Sequence, residues 1–237
     1  MINKDLIVRK EVDATHYYFV DDEFYPSVSA ILDEAAPKEY GLLNFFKTNT
    51  PEDIEEKSST AKAKGSLVHD TCEKILNGVK VSIVDFPIPA KKALMTFIDW
   101  YNTFQPKNYL TESTVASVKF KYAGTCDMVC EIGGKKVLID FKTNKGSIYF
   151  SNKLQVMAYK QAYEETTDEK IDECWILRLG TTHKCGYEFK KVDDVNVDDF
   201  MQVYKTYLTM HGGKIPDPPI IDVYPEEIEL SNISLRK

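Results

Sequence analysis

Residues 124–143, GTCDMVCEIGGKKVLIDFKT, constrain the fold more than any other stretch of this chain. Two strand-like runs flank Gly133-Gly134, a two-residue hairpin signal. Side chains alternate along a strand. In the first run Cys126, Met128, Cys130 and Ile132 therefore share an apolar face, opposite Thr125, Asp127, Val129 and Glu131. In the second, Val137, Ile139 and Phe141 share an apolar face, opposite Leu138, Asp140 and Lys142. Both carboxylates leave the apolar faces and can enter one space. Asp140 and Lys142 stand about 6–7 Å apart along the strand, with room for a cation and a water between carboxylate and ammonium. An Asp-x-Lys on a strand is also common as a solvated face, so this spacing alone leaves both readings open.

The rest of the chain bounds the answer. Its 237 residues suit one domain, and 43% hydrophobic with 28% charged residues is ordinary globular composition. No apolar run approaches the ~18 residues of a membrane span. The start, MINKDLIVRKEVD, has no apolar h-region and carries acids early, against a secretory or mitochondrial leader. Five cysteines without a CxxC pair disfavour a disulfide framework or zinc knuckle and suit a reducing cytosol. The net charge of −7 argues against general polyanion binding. Between Lys107 and Lys153, however, eight lysines face four acids, while acids gather in DDVNVDD (193–199) and YPEEIE (224–229). The middle of the chain can face nucleic acid; the C-terminal part cannot.

Coarse patterning predicts short strands over 6–25, a helix from Val28, a second short helix over 38–47, and a longer one capped by Thr50 with Pro51 in its first turn. Helical periodicity covers Ala61–Leu76, with Leu67, Thr71 and Ile75 on one side, and another helix follows Pro89. Strands are expected over 111–122, 125–132 and 135–143, then a helix over 151–164. Two more strands at 174–180 and 185–192 precede a last helix over 197–211. Pro216, Pro218 and Pro219 mark an extended tail. This order gives an α/β fold, a central mixed sheet flanked by helices with an N-terminal helical elaboration.

Four motifs in order resemble the PD-(D/E)xK nuclease superfamily: Asp127 on one strand, then Asp140-Phe141-Lys142 on the next. GSLVH (65–69), with His69 on a helix ahead of them, and QVMAY (155–159), with Gln155 and Tyr159, narrow the resemblance to the RecB-like exonuclease branch. YPSVSAIL (25–32) is similar to a stretch of phage-type members and of the mitochondrial genome maintenance exonuclease. Cys126 stands where the superfamily pattern has Pro.

The resemblance implies a restriction-endonuclease-like core in a single nuclease domain, 1–237. Residues 1–105 would be strands and helices carrying the His motif, 106–192 the catalytic core, and 193–237 a C-terminal helix and tail. It implies Mg²⁺ or Mn²⁺ held by His69, Asp127, Asp140 and the Phe141 carbonyl, with Lys142 positioning the attacking water. Hard oxygen donors suit either ion. A neutral imidazole must bind, so affinity weakens below about pH 6. Gln155 and Tyr159, and Lys145 and Lys153 around GSIYFSN, are the expected substrate contacts. Gly124 would let a sugar-phosphate backbone approach the strand. Glu112 reads either as an outer-sphere acid or as an exposed strand residue; Tyr163 continues the Gln155 face. His16, His183 and His211 read as surface residues. Relatives with an iron–sulfur cluster use one upstream and three C-terminal cysteines; nothing follows Cys185 here, so no cluster is expected.

The implied activity is exonucleolytic hydrolysis of DNA, from single-stranded ends, in recombination, repair or replication-end processing. It would act in the cytoplasm of a bacterial or phage-infected cell, away from membranes and with a recombination or replication protein as a possible partner. A structure-selective endonuclease and a catalytically silent DNA-binding subunit are the alternatives.

Overall fold

A computed structural model of the chain describes residues 6–12, 15–144 and 146–218. The expectations for Lys145, Pro219 and the acidic 224–229 run lie outside them. Strands β1 (Ile7–Val12), β2 (Thr15–Val20) and β3 (Glu23–Tyr25) form a small antiparallel sheet. Helices α1 (Val28–Ala35), α2 (Tyr40–Thr48), α3 (Pro51–Leu76) and α4 (Ile88–Phe104) follow. Then come β4 (Lys107–Ser117), β5 (Tyr122–Ile132), β6 (Lys135–Lys142), α5 (Phe150–Thr167), β7 (Glu173–Leu179), β8 (Tyr187–Lys191) and α6 (Val197–Met210). Among the described residues, no helix is long and apolar enough to cross a membrane.

Local chemistry explains the helix starts. The Ser27 hydroxyl accepts from the Ala30 N–H at 3.0 Å, and Thr50 from the Asp53 N–H at 3.2 Å, with Pro51 opening α3 as its missing donor allows. The separate helical pieces expected around residue 60 are one helix of 26 residues. Gly65 does not break it, although an interior glycine costs roughly 1 kcal/mol against alanine. The apolar side of α3 is also turned from expectation: Val68, Thr71, Cys72 and Leu76 are buried, while Leu67 and Ile75 are only partly so.

The larger sheet runs β4-β5-β6-β7-β8. Only β6 and β7 are parallel, and α5 is the crossover that parallel neighbours require. Helices cover both faces of this mixed α/β sheet. Leu138, Cys126, Val129 and Ile176 pack with Leu154, Ala158 and Phe200 on the side of α1, α5 and α6. Val137, Ile139, Phe141, Met128 and Leu177 pack with Val68, Phe97 and Trp100 on the side of α3 and α4. Fully burying each large apolar side chain contributes about 1.5–3 kcal/mol, so α4 is part of the core as much as of any N-terminal elaboration.

Two expectations for β5 are corrected. Its start moves forward to Tyr122, because the turn falls at Val118–Lys121, where Lys121 takes φ +59°. The face assignment also fails at one point. Cys126 lies in the α5-side core, while Met128 and Cys130 lie in the α4-side core, so the alternation breaks around Asp127. The break coincides with Glu112 on β4, which sits at φ +46° between the paired positions Thr111–Met128 and Ser113–Cys126. A non-glycine residue in that region is uncommon and strained, and such residues gather at functional sites.

Candidate active site

The β5–β6 ladder ends at the pair Met128–Ile139. The next residues outward, Asp127 and Asp140, therefore stand at a fork between the strands. Asp127 fills it from one side: its Oδ2 accepts the Phe141 N–H at 2.5 Å, and its Oδ1 lies 3.1 Å from His69 Nδ1. The unbroken α3 carries His69 here, its ring edge-on to Phe141 at 5.9 Å. Glu112 arrives from β4, where its left-handed backbone faces Asp127. One ligand atom each of His69, Glu112 and Asp127 all lie within 4.8 Å of one another.

Asp140 and Lys142 form the other half. Asp140 is 2% exposed, and the Lys142 Nζ lies 2.6 Å from its Oδ2. The same ammonium donates to Gln155 Oε1 at 2.9 Å, and Gln155 Nε2 donates to the Tyr159 hydroxyl at 2.9 Å. The i, i+4 pair on α5 thus acts as a unit: Tyr159 holds Gln155, and Gln155 holds Lys142. Tyr159 is almost wholly buried, and its ring occupies the space beside Gly124; a Cβ there would meet Tyr159 Cε1 at 2.4 Å. The expected opening for a sugar-phosphate backbone at Gly124 is instead filled by this ring.

Electrostatics ties the two halves together. Burial alone would raise the Asp127 carboxyl, but His69, Lys142 and the Phe141 N–H outweigh it and hold it below the usual range. Burial and Asp127 push Asp140 up to about 6 against the pull of Lys142. Burial and Asp127 likewise push Glu112 up to about 7, with His69 and Arg9 opposing. Burial disfavours the imidazolium of His69, yet Asp127 keeps its pKa above the ordinary value. Three carboxyls close together out of water cannot all ionise cheaply without a nearby cation.

The small N-terminal sheet closes one side. Arg9 reaches Glu112 Oε2 and Thr125 Oγ1, each at 3.4 Å, and the Tyr18 hydroxyl lies 3.0 Å from Thr125 Oγ1.

Of the remaining candidates, His16 lines the same groove as Glu112 and Asp127. Lys153 on α5 pairs with Asp194 at 2.5 Å. Tyr163 is buried and donates to Glu169 Oε2 at 2.8 Å. His16 pairs with Glu11 at 3.2 Å and His211 with Glu34 at 2.9 Å, while His183 is exposed. Glu112 is the residue that strand periodicity could not assign. Its membership depends on a backbone kink that no residue type around it signals.

No family model matches the chain, and its sequence has no match among curated proteins. Its fold does have solved counterparts. The crystal structure of a "Putative exonuclease" from Eubacterium rectale superposes with a TM-score of 0.51 over 88% of this chain and 92% of that one, at 17% identity. The structure of SSO0001 aligns over 62% of this chain and 74% of its own at 14% identity, with a TM-score of 0.36, too distant to bear on the fold. The chain is therefore similar in fold, over 88% of its length, to a protein described as a "Putative exonuclease".

Proposed function

We infer that this chain is a divalent-metal-dependent deoxyribonuclease that hydrolyses phosphodiester bonds from strand ends. The observation that carries the reading is the fork between β5 and β6. There, a lysine held by Asp140 and Gln155 stands beside the His69–Asp127–Glu112 group. The description of the fold neighbour as a "Putative exonuclease" supports the same class.

The donor chemistry fits the expected ion. One imidazole nitrogen and carboxylate oxygens within 4.8 Å of one another are hard, mostly anionic donors of the kind that hold Mg²⁺ or Mn²⁺. His69, Asp127 and Glu112 would hold the ion, with Asp140 and the Phe141 carbonyl at the edge of the same fork. Such an ion supplies Lewis-acid polarisation of the phosphoryl oxygen and lowers the pKa of water. Lys142 orients the attacking water or stabilises charge developing on phosphorus. Gln155 fixes that ammonium, and Tyr159 fixes Gln155. The water oxygen attacks phosphorus in line, the bond to the departing sugar oxygen breaks, and no covalent enzyme intermediate forms. Lys145 and Lys153 would add phosphate contacts. Work at DNA ends in recombination, repair or replication, in the cytoplasm of a bacterial or phage-infected cell, follows from this reading.

The test uses linear strands labelled at the 5′ or 3′ end, a circular single strand, and Mg²⁺ or Mn²⁺. Stepwise shortening of the linear strands with the circle intact is expected, and the labelled end reports polarity. Asp140→Asn and Lys142→Ala should abolish it while remaining folded. Full activity in either variant sinks the assignment, and cutting of the circle replaces exonuclease with endonuclease.

A further inference from the structure

The small N-terminal sheet reaches the fork through Arg9. Tyr18, Val20 and Tyr25 seat the sheet on Ala116 of β4 and Ala123 of β5. Arg9 and Tyr18 are cross-strand partners on β1 and β2, so their side chains leave the same face of the sheet. Nη1 of Arg9 lies 3.4 Å from Glu112 Oε2 and 3.4 Å from Thr125 Oγ1, with one hydrogen for each acceptor. The Tyr18 hydroxyl meets the same Thr125 oxygen at 3.0 Å. Thr125, a neutral second acceptor, keeps the guanidinium beside Glu112 even when the carboxylate turns.

The groove beneath the sheet, of about 400 Å³, is acidic. Glu11, Asp70, Glu112 and Asp127 line it, and Arg9 is the one permanent cation among the described residues that do. Glu11 already has a partner in His16, at 3.2 Å. A guanidinium does not lose its proton in a protein, so the charge of Arg9 is fixed. A divalent ion held by His69 and Asp127 must therefore share the Glu112 carboxylate with it. A carboxylate has lone pairs enough for both, but two cations on one carboxylate repel each other at close range.

Arg9 is not what brings Glu112 to the fork. The β4–β5 ladder fixes the Glu112 backbone from both sides, at Thr111–Met128 and Ser113–Cys126. Its left-handed conformation at φ +46° belongs to that ladder. What Arg9 adds is charge on a carboxylate whose place is already set. Removing a mere support would loosen Glu112 and weaken ion binding, whereas removing a competitor strengthens it. The two roles therefore differ in sign.

We propose that Arg9 tunes the affinity of the fork for its divalent ion by competing with that ion for Glu112. The proposal deepens the nuclease reading and rests on its metal site. Isothermal titration calorimetry of the full chain with Mn²⁺ tests it. Arg9→Met should tighten Mn²⁺ binding about three- to tenfold. Arg9→Gln, which keeps a donor for Thr125 without the charge, should do the same, and it replaces the methionine variant if that one does not fold. Arg9→Lys keeps the charge and should stay within about twofold of the wild type. In a Glu112→Gln background the gain from Arg9→Met should fall by about half or more, because the two residues act through one contact. Lys170→Met removes a charge at the far end of the sheet and should stay within about twofold. Unchanged or weaker Mn²⁺ binding in the neutral Arg9 variants overturns the proposal. So does an undiminished gain in the Glu112→Gln background, or an equal gain in Lys170→Met. A wild-type chain that takes up no Mn²⁺ removes the metal reading together with this proposal. Tighter binding in the Arg9 variants, with DNA left uncut by the wild type, keeps the role of Arg9 and loses the nuclease.

Discussion

A Cβ on Gly124 would sit 2.4 Å from Cε1 of Tyr159, so the ring closes over β5 only because that position has no side chain. The contact joins the strand that leads to Asp127 with the helix that carries Gln155. Gly124→Ala should therefore destabilise the fold by about 1–3 kcal/mol, the usual range for overpacking. Urea unfolding measures it. Adding Tyr159→Leu to Gly124→Ala should recover part of the loss, because the two positions share one contact. Strictly additive losses would show that the ring already avoids position 124.

Gln155 Oε1 accepts the hydrogen bond that holds the Lys142 ammonium beside its ion-pair partner Asp140. Gln155→Leu should lower the turnover of DNA about 10- to 100-fold, since a displacement near 1 Å at a reacting group costs that much. The thermal midpoint should move little. Gln155→Glu keeps an acceptor and should retain more activity than the leucine variant. Unchanged kcat in Gln155→Leu would remove Gln155 from the site.

Glu173 provides a pH test away from the fork. Lys135 and Lys191 hold its carboxyl down at about 2, with the Trp175 indole N–H adding to them and burial opposing. A depressed carboxyl contributes stability above its unfolded pKa near 4.5 and loses it as pH falls through about 2. Glu173→Gln should cost about 1–2 kcal/mol at pH 7 and nothing near pH 2. Denaturant unfolding at both values checks the sign. An equal cost at both would assign the effect to packing.

Divalent metal should stabilise the folded chain. At a hundredfold excess over Kd, Mn²⁺ should add about 2.7 kcal/mol, read as a rise in thermal midpoint. Asp127→Asn should remove most of that rise and Glu112→Gln part of it. The wild-type rise should already shrink as pH falls through 6.5, because Asp127 holds the His69 pKa above that ordinary value and the imidazolium must give up a proton to bind. A full rise in Asp127→Asn would place the ion elsewhere.

Much of this architecture was legible in residue order. Thr50 with Pro51 marked the start of α3, Gly133-Gly134 marked the hairpin, and the apolar run Val137, Ile139, Phe141 marked one of the two buried faces of β6. These features are local: a cap, a turn and a pleat depend on neighbours within a few residues. The separation of Asp140 and Lys142 belongs to the same class, because strand geometry alone sets it.

What required the tertiary structure is each relation across elements. Glu112 reaches Asp127 and His69 because β4 takes a left-handed residue opposite Asp127. That same region ends the simple alternation expected of β5. The hydrogen bonds of Gln155 depend on how α5 crosses β6, and the role of Gly124 depends on where the Tyr159 ring lands. Residue order dictated most of the elements and placed one acid, Asp140, two residues from Lys142 on β6. The packing of helices on a kinked sheet decided which of those groups meet, because a one-residue change of phase in a strand turns a side chain to the opposite face.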